Sequence, residues 1–168
     1  MKPLQIPLEE GKFYHIYNRG NNGENLFYNQ ENYKFFLRKL DEYVSDYIEL
    51  YAFSLMPNHF HLLVQIKVRD IDALRFQNAK HLEEAADATD ALHFRNAKRL
   101  KYDPASLAFL KLFTSYSKAI NKQQKRHGSL FENPFKRKEI DSTPYLANLV
   151  FYIHANPQLH GISDDFRQ

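Results

Sequence analysis

Apolar and polar positions alternate with two different periods along this chain, and the switches between them lay out its elements. Phe13–Arg19 follows the two-residue rhythm of a strand, and the turn-prone Gly20-Asn21-Asn22-Gly23 follows it. From Asn29, a helix-capping residue, Tyr33, Phe36, Leu37, Leu40, Tyr43 and Val44 recur at helical spacing to about Asp46. Residues 49 to 56 and 59 to 67 read as a hairpin around Pro57-Asn58. Asp103-Pro104 opens a second capped helix carrying Leu107, Leu110, Phe113 and Ile120, and residues 135 to 140 read as a last strand. Strand, helix, strand, strand, helix, strand is the ferredoxin-like order, so the expected class is α+β, an antiparallel RRM-like sheet with helices on one face.

A further helix is predicted from Ser142, with Thr143 as its cap, Pro144 at the first helical position and Pro157 closing it near Asn156. Leu146, Leu149, Val150 and Ile153 form its apolar stripe, and Tyr152 and Asn156, four residues apart, lie together beside it. The whole chain, 1–168, reads as one domain with an insertion at about 70–103. In that insertion Asp72 to Lys80 is echoed by Asp90 to Lys98, a repeat whose period of 18 residues is five helical turns. It is expected to be helical or partly mobile and to serve nucleic-acid contact, dimer contact or neither, and its nearly cancelling charges favour dimer contact over nucleic acid.

Chemistry concentrates at two places. In Met56-Pro57-Asn58-His59-Phe60-His61-Leu62-Leu63-Val64, strand geometry turns His59 and His61 to one face and Phe60, Leu62 and Val64 to the other, giving one apolar and one metal-capable face. Late in the chain, Tyr152-Ile153-His154-Ala155-Asn156-Pro157 holds a potential nucleophile and an amide oxygen on a short helix.

These two motifs together closely resemble the single-tyrosine HUH transposases, in particular the REP-associated tyrosine transposase branch. Phe13-Tyr14-His15-Ile16-Tyr17-Asn18-Arg19-Gly20 and Arg126-His127-Gly128-Ser129-Leu130-Phe131 are similar to that family as well, so the resemblance spans about residues 12 to 68 and 105 to 162. It implies a ferredoxin-like sheet with both His on a central strand, a divalent ion on His59 and His61, Tyr152 as the nucleophile and Asn156 completing the ion's shell. Some relatives carry Gln where Asn156 stands, which offers the same carbonyl oxygen. The implied activity is cleavage and rejoining of single-stranded, hairpin-associated DNA through a 5′-phosphotyrosine link that leaves a free 3′-OH, with a homodimer as the working form.

The chemistry is sensible on its own terms. A neutral phenol, with an ordinary pKa of about 10, attacks a phosphodiester poorly. A divalent cation polarises the phosphoryl oxygen and stabilises the charge that develops. Mixed nitrogen and oxygen donors favour Mg²⁺ or Mn²⁺ here, although imidazoles also suit zinc. A phosphotyrosine stores the energy for rejoining, which agrees with the absence of a nucleotide-binding glycine loop among five glycines.

Composition fits a DNA-acting protein of a bacterial-type cytoplasm, expected at the nucleoid. The chain has no cysteine, no apolar run near the roughly 20 residues that span a bilayer, and no signal-peptide core. A net charge of +3 is a weak pointer to nucleic acid, but Lys118, Lys122, Lys125, Arg126, Lys136, Arg137 and Lys138 stand against Glu132 alone. DNA contact is therefore expected from Lys122, Lys125, Arg126, Lys136, Arg137 and Lys138. His127, Phe131 and Phe135 are candidates to stack on bases, and Asn18 and Arg19 to position a phosphate. His15 is expected either beside the ion or merely beside tyrosine rings, and His154, about 200° around the helix from Tyr152, faces away from it. Tyr116 and Tyr145 are the rival nucleophiles. Two other function classes remain open: a non-catalytic or domesticated nucleic-acid binder of the same fold, and a metal-dependent hydrolase using the His pair.

Overall fold

The computed structural model describes residues 6–68, 103–159 and 161. The repeated insertion at about 70–103 lies almost wholly outside the described residues. The elements are β1 (Phe13–Arg19), α1 (Gln30–Val44), β2 (Ile48–Met56), β3 (His59–Ile66), α2 (Pro104–Gln123), β4 (Lys136–Ile140) and α3 (Thr143–Leu159), with a short 3-10 turn at Asn21–Gly23 after β1. The four strands form an antiparallel sheet in the order β2-β3-β1-β4. Two interleaved strand–helix–strand units generate this order, which is the ferredoxin-like α+β fold.

Local chemistry sets the helix starts. Asn29 accepts a hydrogen bond from the Asn32 N–H at 3.0 Å, and Asp103 accepts one from the Ser106 N–H at 2.7 Å, each satisfying an orphan donor of the first turn. Alternation then sorts the central strands. Tyr14 and Ile16 of β1 and Phe60, Leu62, Val64 and Ile66 of β3 are buried against Phe36, Leu40 and Val44 of α1 and Phe109, Leu112, Phe113, Tyr116 and Ile120 of α2. Phe60 lies 5.2 Å from Phe36 and 5.7 Å from Phe113, centroid to centroid, a cluster whose members each contribute about 1.5–3 kcal/mol by leaving water.

The opposite face is covered in part by α3. Leu149 and Ile153 are buried on Ala52 and Leu63, with Phe13, Ile140 and Leu146 half-buried against this cluster. Helix α3 thus climbs the sheet towards the end that carries His59. It departs from expectation in three ways. Its first helical residue is Thr143, and the Ser142 carbonyl accepts the first helical bond, from Leu146 N–H at 3.0 Å. Its backbone stays helical through Pro157 to Leu159. Val150 is exposed, and the buried residues of α3 are Leu149, Ile153, Ala155 and Asn156.

The turn ahead of His59 is anchored from two sides. Gly20 N–H donates to the Asn58 carbonyl at 2.8 Å, and Leu26 N–H and Phe27 N–H both donate to Pro57, at 2.7 and 2.9 Å. A Cβ at Gly20 would sit 1.8 Å from the Glu24 carbonyl oxygen, so only glycine fits where β1 turns away. Among the described residues no helix is long and apolar enough to cross a membrane.

Candidate active site

Register brings the early and late motifs together. His59 pairs with Arg19, and His61 lies between Tyr17 of β1 and Ser54 of β2. On the other side of β1, Tyr17 pairs with Lys136 and His15 with Lys138. One face therefore carries His15, Tyr17, Arg19, His59, His61, Lys136 and Lys138. Tyr152 descends onto it from α3, its ring centroid 5.3 Å from that of His61 and nearly perpendicular at 82°. Tyr17, Asn18, Arg19, Asn58, His59, His61, Lys136 and Tyr152 line an open cleft of about 410 Å³. Tyr152 is 37% exposed, accessible from the cleft yet held on a packed helix.

The two imidazoles are oriented by partners at Nδ1. His59 Nδ1 lies 2.7 Å from Asn58 Oδ1, and because that oxygen only accepts, His59 carries its proton on Nδ1 and its lone pair on Nε2. His61 Nδ1 lies 2.8 Å from His15 Nε2. His15 is buried and stacked on Tyr17, with centroids 4.7 Å apart. Burial, helped by the nearby Lys138 ammonium, lowers its pKa from 6.5 to about 4.

That shift has a consequence for stability. Between pH 6.5 and about 4 the unfolded chain binds a proton at this histidine and the folded chain does not, so stability falls as pH drops through this window. The metal-free protein is expected to lose about 3 kcal/mol of folding stability over that interval through His15. Urea titrations at a series of pH values check this: the wild type should show the loss, and the difference between wild type and His15→Phe should carry most of it.

A divalent ion would find two imidazoles here and needs oxygen donors beyond them. Among the described residues no group of three or more His, Cys, Asp or Glu side chains is placed to hold a metal. Asn156 is completely buried, however, and neither its amide oxygen nor its amide nitrogen has a hydrogen-bond partner among the described residues; the same holds for Ser54 Oγ, opposite His61 in the sheet. Such orphaned groups are costly unless something else satisfies them. Two imidazoles and one amide oxygen would suit Mg²⁺ or Mn²⁺, which retain water and phosphate ligands, better than a closed zinc site, but Asn156 is not among the residues that line the cleft with His59 and His61.

The expected DNA-contacting residues divide. Arg19 and Lys136 line the cleft, both ion-paired to Glu132 at 3.0 Å. Asn18 also borders it but is buried, donating to the Glu132 carbonyl at 3.1 Å and accepting from Arg19 N–H at 2.9 Å, so it holds backbone in place. Lys138 is exposed on the same face, its ammonium 4.3 Å from the Tyr145 ring centroid. Lys122 and Lys125 are exposed outside the cleft, at the end of α2 and in the loop after it. Arg126 is engaged with Asn121, at 2.9 Å, and with Glu24. Arg137 is turned to the helix side, its side chain only 3% exposed, lying over Phe135 and bonded to Ser106 near Asp103. Phe131 and Phe135 belong to the core, so they do not offer stacking surfaces to bases. His154 faces solvent, its Nδ1 2.8 Å from the Val150 carbonyl oxygen.

Tyr17 and Asn58 belong to the site without having been singled out as site residues from the sequence. Strand alternation already puts Tyr17 on one face with Phe13, His15 and Arg19, and a site on that face would have included it; Asn58 could have been found by asking what fixes the His59 ring.

No protein-family model matches the chain, and no curated protein matches it in sequence. A solved structure of a REP-associated tyrosine transposase bound to a REP hairpin matches its fold with a TM-score of 0.64 at 14% identity, over 99% of this chain and 78% of that one.

Proposed function

We propose that this chain is a divalent-metal-dependent, transposase-type enzyme that nicks and rejoins single-stranded DNA beside a hairpin, with Tyr152 as nucleophile. The observation that carries the reading is the approach of the Tyr152 ring to His61, in one cleft with His59, Arg19 and Lys136. The likeness in fold to a transposase with a hairpin in its grasp supports DNA as the ligand here.

His59, His61 and Asn156 would hold the ion. Such an ion would supply Lewis-acid polarisation of the scissile phosphate and offset the charge that develops on it. Arg19 and Lys136 attract and orient the phosphate, as cations at a cleft rim do. The Tyr152 hydroxyl oxygen forms a bond to phosphorus as the bond from phosphorus to the 3′ oxygen breaks. The phenol proton leaves to solvent, and the departing 3′ oxygen takes one up to become a free hydroxyl. Attack by another strand's 3′-hydroxyl on the phosphotyrosine reverses these exchanges and returns the phenol, so no nucleotide triphosphate enters.

Incubating the protein with labelled hairpin DNA and Mn²⁺, followed by a denaturing gel, tests this. A slowly migrating covalent adduct is expected, and both EDTA and His61→Ala should lower its formation by about 10²- to 10⁴-fold, the equivalent of several kcal/mol of transition-state stabilisation. Cleavage without an adduct would favour a hydrolase, and binding without cleavage a nucleic-acid binder.

A further inference from the structure

Resting on the metal-site reading above, we infer that His15 is a positioning residue for His61: its Nε2 accepts the Nδ1–H of His61 and so fixes the tautomer whose Nε2 lone pair faces outward for the ion. The distance between the two nitrogens, 2.8 Å, is that of a direct hydrogen bond. A neutral imidazole carries one proton, so one ring must donate along this line and the other accept.

The neighbouring ligand settles the direction. Asn58 Oδ1 places the proton of His59 on Nδ1. A pair that binds one ion in the same manner requires His61 to donate from Nδ1 as well, which makes His15 Nε2 the acceptor. Metal-ligating histidines characteristically give their second nitrogen to such a partner, which fixes the ring and raises its basicity. Here the two partners come from different places, one from the turn before β3 and one from the adjacent strand β1.

His15 is built to stay put. It is 9% exposed, on a central strand, with Leu63 opposite it on β3 and Lys138 opposite it on β4. Its ring stacks against Tyr17, centroids 4.7 Å apart at an interplanar angle of 27°, and meets His61 edge to edge along the nitrogen–nitrogen line, centroids 5.0 Å apart. Rotation about its side-chain bonds would break the stack on Tyr17 and the bond to His61. The direct bond between the rings also separates His15 from a ligand role, because its Nε2 is pointed at an imidazole nitrogen of His61.

Nitrogen-15 NMR of the histidine rings in the metal-free protein at neutral pH reads the tautomer directly. Wild type should show His61 protonated on Nδ1. In His15→Phe, which keeps a flat ring but removes the acceptor, His61 should move towards the Nε2–H form, and Mn²⁺ affinity measured by calorimetry should fall about 10- to 100-fold. His15→Gln offers a carbonyl oxygen in place of the ring nitrogen and should restore the Nδ1–H form and much of the affinity. A wild-type His61 protonated on Nε2, or an unchanged tautomer in His15→Phe, would overturn the assignment. If wild type binds no Mn²⁺ while the tautomer switches as expected, the hydrogen-bond role stands and the metal reading is what fails.

Discussion

Phenylalanine at position 152 is expected to abolish the covalent DNA adduct and to lower strand cleavage by roughly 10⁴-fold or more, the scale seen when a nucleophile is removed from a preassembled site. The fold should not notice. Tyr152 is more than a third exposed, and α3 is held to the sheet by Leu149 and Ile153. The rival tyrosines separate on geometry. Tyr116 is completely buried, donates its hydroxyl proton to the Leu26 carbonyl at 2.8 Å, and has its pKa pushed far above the ordinary range by burial. Tyr145 lies beneath Lys138, away from the cleft lining. Tyr17 does line the cleft, so Tyr17→Phe is the informative control: it should keep the adduct on a denaturing gel while Tyr152→Phe loses it.

Asn156→Leu is expected to act in opposite directions on stability and on metal binding. Leucine has nearly the shape of asparagine, and both polar atoms of Asn156 are buried without partners among the described residues. Each such group costs about 1–3 kcal/mol. The variant should therefore unfold in urea with about 1–3 kcal/mol more stability than wild type when metal is absent. Added Mn²⁺ should stabilise wild type through linkage and the variant much less, closing or inverting the gap. A variant less stable than wild type without metal would mean that the amide is already satisfied within the protein.

Much of this architecture is written locally. The bounds of β1, the caps Asn29 and Asp103, and the hairpin at Pro57-Asn58 follow from period and capping chemistry that act over a few residues. The placement of His59 and His61 opposite Phe60 follows from strand alternation alone. What local pattern does not contain is register. That His15 meets His61, and that Tyr17 joins the cleft, depends on how β1 slides against β3.

Edges and ends were also opaque. In Lys136-Arg137-Lys138 charge sits on both faces of an edge strand, so composition could not tell that Arg137 turns inward to Asp103 while its neighbours face the cleft side. Phe131 and Phe135 look like accessible aromatics in a basic loop, yet the core beneath α2 claims them. Pro157 removes one donor, but Ile153, Ala155 and Asn156 are buried just before it, and that packing holds the backbone helical for two more residues. The likeness in fold to the hairpin-bound transposase came with too little shared sequence for residues to be matched by identity, so the site rests on its own geometry.

Mass spectrometry of the protein after reaction with a hairpin-bearing single strand and Mn²⁺ tests the central claim most directly. The protease-digested protein should yield a peptide carrying nucleotide through a 5′-phosphate on Tyr152. An adduct mapped to Tyr17 or Tyr145, or cleaved DNA with no nucleotide on any peptide, would contradict it.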